Sequence, residues 1–347
     1  VITGGAGFIG CNLAESFLRE GQEVVLLDNL SRPGVEENLA WLRRVYGEKA
    51  RPCLVDIRDI EAIRPVFANA MAVFHLASQT AVTTSLVQPV EDFEVNARGT
   101  LNVLEAVREA GSGVPFIFAS TNKVYGGLDD LEMVELEDRY IPADLKLRQR
   151  GIGEDRPLSF CTPYGCSKGT ADQYVLDYAA SFGIPAAVMR MSCIYGPRQF
   201  GTEDQGWVAH FLIRALRGET ISIYGDGKQV RDVLHVADAI AAYRAVLTRM
   251  DAASGKAFNL GGGSLNAVSL RMVLCEIARI TGQESATEWN PWRPGDQRYF
   301  VADTSRLKGL LGWEAAIGWR QGLRDLASWL ATARGLGQPL LQERLTA

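Results

Sequence analysis

Tyr164 and Lys168 stand four positions apart in Tyr164-Gly165-Cys166-Ser167-Lys168. In a helix that spacing places a phenol and an ammonium on one face. A phenol ionises near pH 10, so only ~0.1% is phenolate at neutral pH. A cation about 5 Å away, at an effective dielectric of about 20, contributes roughly 3 kcal/mol. Bringing the phenol down to about 7 requires roughly 4 kcal/mol, so the lysine plus one more positive charge would make Tyr164 an acid and base. The spacing also occurs on ordinary helices and needs a context. Here Val114 to Ala119 reads as a buried strand that ends in Ser120-Thr121-Asn122-Lys123, where a hydroxyl can project from a strand end.

The second chemical signal lies at the start of the chain. Gly4, Gly7 and Gly10 follow the strand remnant Val1-Ile2-Thr3 and precede a helical pattern from Cys11 to Arg19. In that context the glycines give a tight turn, a close backbone approach and close helix packing, and the helix N-terminus attracts a pyrophosphate. The next strand, Glu23 to Leu27, ends in Asp28, eighteen positions after Gly10. A carboxylate there suits the adenine-ribose hydroxyls and repels a 2′-phosphate, which favours NAD over NADP, although nearby Arg32 would tolerate that phosphate. Asp56-Ile57 is expected to flank the adenine, and His75-Leu76-Ala77 to end the fourth strand beneath the pyrophosphate. An oxidised nicotinamide then supplies the second positive charge that Tyr164 needs, and the two motifs together read as hydride transfer.

The elements that must carry these groups follow an α/β alternation. From Val1 to about Met191, short apolar runs alternate with amphipathic stretches such as Val95 to Ala110, which predicts a doubly wound parallel sheet. Ala257 to Gly261 is expected to rejoin it, so that residues 1–190 plus about 234–265 form one domain. Residues 191–233 plus 266–347 form the second, substrate-binding one. Residues 126–159 are polar and charge-dense and read as a lid or a solvated excursion. Only three residues precede the glycine turn, so a few more, including an initiator methionine, are expected before Val1.

The 347 residues are 47% apolar with a net charge of −5, enough for a large core and without a footprint for nucleic acid or anionic membrane. No apolar stretch has the length of a membrane span and no signal-peptide pattern is visible, so the cytoplasm is the expected compartment. The six cysteines and three histidines lack metal-ligand spacing, and no metal is expected.

Longer strings carry a resemblance. They include Ser120 to Gly126, Pro163 to Gly169, Tyr195-Gly196-Pro197-Arg198-Gln199-Phe200, Asp204-Gln205-Gly206-Trp207 and His75-Leu76-Ala77-Ser78-Gln79. Over essentially its whole length the chain resembles the extended short-chain dehydrogenase/reductase family, and within it the nucleotide-sugar epimerases. The resemblance implies an NAD-binding Rossmann sheet with a smaller C-terminal α/β lobe, and a closed redox cycle. Tyr164 takes a hydroxyl proton as NAD takes the hydride, and both return on the other face of the keto sugar. Thr121 would bind the reacting oxygen, and Lys168 the nicotinamide ribose. The implied cofactor set is Gly4, Gly7, Phe8, Ile9, Gly10, Asp28, Asn29, Ser31, Arg32, Asp56, Ile57, Leu76, Ala77 and Gln79, with Tyr164 and Lys168. The implied substrate set is Thr121, Asn122, Asn96, Gln199, Trp207, Tyr224, Gln229, Arg231 and Arg298.

Among such enzymes the strings are similar to those inverting C2 of a CDP-hexose. A UDP- or CDP-hexose 4-epimerase is the alternative, since identical chemistry acts on whichever carbinol the pocket presents. The family's sugar 4,6-dehydratases carry Asp-Glu after the threonine, where this chain has Asn122-Lys123, and a non-catalytic NAD sensor would not need Tyr164, Lys168 and Thr121 together. Relatives pair through two long helices, here Val95 to Ala110 and Tyr164 to Phe182, so a homodimer or homotetramer is expected.

Overall fold

The computed structural model describes residues 1–111 and 113–336. Seven parallel strands form the central sheet: β1 (Ile2–Thr3), β2 (Val24–Leu27), β3 (Ala50–Cys53), β4 (Val73–His75), β5 (Phe116–Thr121), β6 (Ala186–Met191) and β7 (Lys256–Leu260). Their order is β7-β6-β5-β4-β1-β2-β3. The winding reverses at β1, which pairs with β2 on one side and β4 on the other, and this leaves a crevice beyond the strand ends. β7 joins from far along the chain, pairing Leu260 with Met191.

The continuous apolar runs follow from burial on both faces. Successive side chains of β5 point to opposite sides. Ile117 and Ala119 enter one core with helix α1 (Phe8–Leu18), whereas Phe116 and Phe118 enter the other with α2 (Gly99–Ala110) and α3 (Thr162–Phe182). The helix expected from Val95 opens instead as a π-turn over Glu94–Arg98 before α2 begins.

A second core gathers Val208, Leu212, Ile221, Val268, Ile277 and Leu326 beneath the strands Cys193–Tyr195, Ile221–Tyr224 and Val230–His235. We propose the division into 1–190 plus 234–265 and the remainder as the working domain boundaries. Leu307, Leu311 and Trp313 nevertheless pack into the α1-side core.

Residues 126–159 carry secondary structure of their own rather than a plain solvated loop. They form a hairpin, Met133–Glu135 with Tyr140–Pro142, and a helix, Leu145–Arg150. Leu128 and Ile152 are buried against Tyr125 and Phe300. Ile152 exchanges backbone hydrogen bonds with Val301 and Asp303 at 2.7 and 2.9 Å. A few well-placed apolar side chains anchor a segment whose composition is otherwise polar.

Candidate active site

The crevice at the sheet's C-terminal edge holds a cavity of about 390 Å³. Gly4 turns with φ 68°, and a Cβ on Gly10 would lie 2.2 Å from the Gly4 carbonyl, so α1 can pack this close only with glycine there. The α1 N-terminus has no side-chain cap, and Gly7, Phe8 and Ile9 line the cavity where its free N–H groups would meet an anion. Asp28 lies at the end of β2. Its carboxylate accepts from the Ala6 and Leu30 N–H groups at 3.0 and 2.9 Å, which leaves lone pairs for ribose hydroxyls. Burial raises its pKa, and the backbone donors oppose that.

Asn29, Ser31, Arg32, Asp56, Ile57, Leu76, Ala77 and Gln79 line the same cavity. Asn29 donates to Asp56 at 2.8 Å, and Arg58 holds the Asp56 carboxyl down to about 2. The Arg32 guanidinium turns to the Thr80 hydroxyl at 3.0 Å. Beneath them His75 is fully buried, paired with the hydroxyls of Thr3 at 2.7 Å and Thr100 at 2.9 Å. Burial lowers its pKa to about 3, with the Lys168 charge acting the same way, so it is a neutral packing element.

Thr121 ends β5, while Tyr164 and Lys168 occupy the first two turns of α3, and all three line this cavity. The Tyr164 N–H donates to the Ser85 hydroxyl at 3.2 Å. Lys168 donates to the Ala119 carbonyl at 2.6 Å and sits 4.2 Å from the centre of the Phe118 ring. Burial lowers Lys168 to about 7, while the charges of Asp172 and Asp92 favour its ammonium form. Burial also pushes the Tyr164 phenol up to about 12, a neighbouring Thr121 hydrogen bond opposing it and Asp92 adding to it. The expected tuning by Lys168 is not what sets the phenol in the protein alone: burial and Asp92 raise it, only the Thr121 hydrogen bond lowers it, and burial disfavours the charged forms of both side chains.

A second cavity, of about 280 Å³, reaches into the other lobe. Thr121, Asn122 and Tyr164 line both cavities, as do Thr80 and Gln205. The second is bordered by Trp207, Tyr224, Gln229, Arg231 and Arg293. Arg231 is buried and donates to Asp296 at 2.6 Å. Arg293 lies 3.8 Å from the centre of the Tyr224 ring, and the Tyr224 hydroxyl bonds Glu203. Gln229 donates to the Tyr224 carbonyl at 2.7 Å, leaving its own buried amide oxygen without a protein partner. Gln199 lines the first cavity rather than the second, and its amide oxygen is likewise buried and unpartnered.

Two expected substrate contacts fall elsewhere. Asn96 lines neither cavity: the π-turn aims its amide at Ser78, Gln79 and Ser167, where it accepts from the Gln79 N–H at 2.9 Å and donates to the Ser167 hydroxyl at 3.1 Å. Arg298 is exposed and stacks 5.5 Å from the centre of the Tyr140 ring, outside both cavities. Arg293, five residues earlier in the same stretch, supplies the guanidinium that was expected from Arg298. No periodicity marks which arginine of an irregular loop turns inward. Lys123 also lines the second cavity, where burial lowers it to about 8, Arg231 acting the same way and Asp296 opposing.

Comparison with known proteins places this geometry. Residues 1–261 match the model of the NAD dependent epimerase/dehydratase family. The chain belongs to that family. The CDP-paratose 2-epimerase of Salmonella typhi is 40% identical over 345 residues, spanning 96% of this chain and 99% of that protein. The UDP-glucose 4-epimerase of Thermotoga maritima, solved with UDP-glucose, superposes with a TM-score of 0.81 at 31% identity, covering 96% of this chain and 98% of that one. The Thermus thermophilus UDP-glucose 4-epimerase, solved with NAD, gives 0.80 at 32% identity with the same coverage. The chain is an epimerase, and its cofactor is NAD. The glycine turn, the uncapped helix and the Asp28 carboxylate fit that dinucleotide. Among the described residues no helix is long and apolar enough to cross a membrane, and no cluster of potential metal ligands occurs.

Proposed function

We propose that this epimerase inverts C2 of a CDP-hexose through a transient 2-keto sugar. One observation carries the reading: the cavity suited to a dinucleotide and the cavity with two guanidinia meet at Thr121, Asn122 and Tyr164. NAD, when bound, supplies a reversible hydride acceptor and a positive ring that favours the phenolate. Tyr164 then removes the proton from the substrate hydroxyl and later returns it, with the Thr121 hydroxyl holding the same oxygen. Lys168, buried in the wall of the same cavity, would hold the cofactor's ribose. Arg231 and Arg293 take the diphosphate, since a planar fork matches paired phosphate oxygens. Trp207 and Tyr224 border the nucleoside.

The 40% identity to a CDP-paratose 2-epimerase supports C2 and CDP. Inversion at C4 of a UDP- or CDP-hexose is the second reading, favoured by the solved 4-epimerases of closely similar shape. Asn122 and Lys123 offer no carboxylate pair for a dehydration. We also place the enzyme in the cytoplasm as a homodimer or homotetramer, paired through the α2 and α3 helices.

The deciding experiment incubates the protein with a panel of CDP- and UDP-hexoses in heavy water and follows the products by NMR. Inversion at C2 of a CDP-sugar, without solvent deuterium at that carbon, is expected. Inversion at C4 would transfer the case to the second reading, and deuterium at the inverted carbon would remove the hydride cycle altogether.

A further inference from the structure

Resting on the reading of the second cavity as a nucleotide-sugar site, we propose that Asn122 and Lys123 are positioning residues that pin the loop 293–297. The pin holds Arg293 and Arg231 at a fixed reach from Thr121 and Tyr164. A fork of N–H donors recognises a diphosphate only where it points, so the segment bearing it needs a rigid support.

Arg293 leaves a solvent-facing stretch: Pro291, Trp292 and Pro294 are all exposed. The loop's far end is secured by Gln297, which is fully buried and donates to the Gly126 carbonyl at 2.6 Å. The Asn122 amide donates to the Gln297 side-chain oxygen at 3.4 Å. Between these points the Lys123 ammonium donates to the Gly295 carbonyl at 3.1 Å and lies 3.9 Å from the Asp296 carboxylate. The same carboxylate oxygen accepts from Arg231 at 2.6 Å. Asp296 therefore joins the pin to one guanidinium through its side chain and to the other through three residues of backbone.

The opposite side of the device is the catalytic strand end. Asn122 and Lys123 open the short helix Asn122–Tyr125, whose first turn is capped by Thr121: its hydroxyl oxygen accepts from the Lys123 N–H at 3.2 Å. One turn of chain thus touches the hydroxyl placed at the reacting carbon and the loop placed at the diphosphate. The Lys123 residue bridges those two points, its backbone on Thr121 and its side chain on the loop.

The test uses the NAD-loaded enzyme and titrates it with CDP, which carries the diphosphate and no sugar. Thermal melting of each variant confirms that it folds. Lys123→Met should weaken CDP binding by about ten-fold, or roughly 1.4 kcal/mol, the scale of one lost hydrogen bond from a charged group. Asp296→Asn should weaken it similarly, and the double variant should lose little more than either single one, because both cut the same support. Turnover of Lys123→Met should show a raised KM with kcat little changed, since Tyr164 and Thr121 are untouched. CDP affinity equal to that of the unaltered enzyme, or fully additive losses, would overturn the pin, as would a fall in kcat at unchanged CDP affinity. Failure of the unaltered enzyme to bind either CDP or UDP is a different result: it removes the nucleotide-sugar reading and the pin together.

Discussion

Tyr164 sits in surroundings that oppose its ionisation: burial drives the phenol up to about 12 and Lys168 down to about 7. Neither charge forms readily in the protein alone, so on the proposed reading a phenolate at Tyr164 would need a further positive charge such as an oxidised nicotinamide would supply. Tyr164→Phe should lower turnover about 10³-fold, the scale of a lost acid and base, while NAD content measured on the denatured protein stays unchanged. Lys168 makes a second prediction with a definite sign. Its folded value of about 7 lies below the ordinary lysine value of 10.5, so between them the unfolded chain holds the extra proton. Stability therefore rises with pH across that window. Urea unfolding at about pH 6 and about pH 9 should show the unaltered protein gaining stability relative to Lys168→Met at the higher pH, and no gain or a loss relative to the variant would contradict the lowered lysine value.

At the level of elements, the turn from β1 into α1 concentrates the constraints. Alanine favours a helix over glycine by about 1 kcal/mol, yet a Cβ on Gly10 would meet the Gly4 carbonyl at 2.2 Å. The contact lies between backbones and cannot be relieved by a rotamer, so overpacking of about 2 kcal/mol should exceed the helical gain. Gly10→Ala is expected to melt lower and to be purified with less NAD; an unchanged melting temperature would mean that α1 can shift. These elements were legible in the sequence because the glycine spacing and the apolar runs of β5 and β6 are local patterns. The π-turn was not, since a one-residue expansion keeps the helical composition while redirecting Asn96 toward Gln79. Arg293 and Arg298 were likewise indistinguishable in one dimension, because an irregular loop has no period to tell the inward arginine from the outward one.

Across the whole molecule, one buried carboxylate ties together segments far apart in the sequence. Asp232, in the strand Val230–His235, bonds Ser192 just beyond β6 and accepts from the N–H groups of Gly263, beyond β7, and Ala302, each at 3.1 Å. It is wholly buried, and a Cβ on Gly261 would fall 1.9 Å from its oxygen, so the chain leaving β7 is fitted around it. The return of the chain to the sheet at β7 was visible as a late apolar strand, but its fastening was not, because the partners of Asp232 lie tens of residues away and carry no shared motif. Removing the carboxylate strands the backbone donors of Gly263 and Ala302, and each such group costs about 1 to 3 kcal/mol, while the Ser192 hydroxyl keeps the Asp232 carbonyl at 2.9 Å. Asp232→Ala should therefore lose about 3 kcal/mol or more in urea unfolding. Asp232→Asn keeps the side chain's shape and one acceptor oxygen, which can serve both backbone donors because they share a single carboxylate oxygen, so its loss should be smaller. Equal losses for the two variants would show that shape and a single acceptor oxygen are not enough to hold these segments, and no loss in either would show that they are held elsewhere.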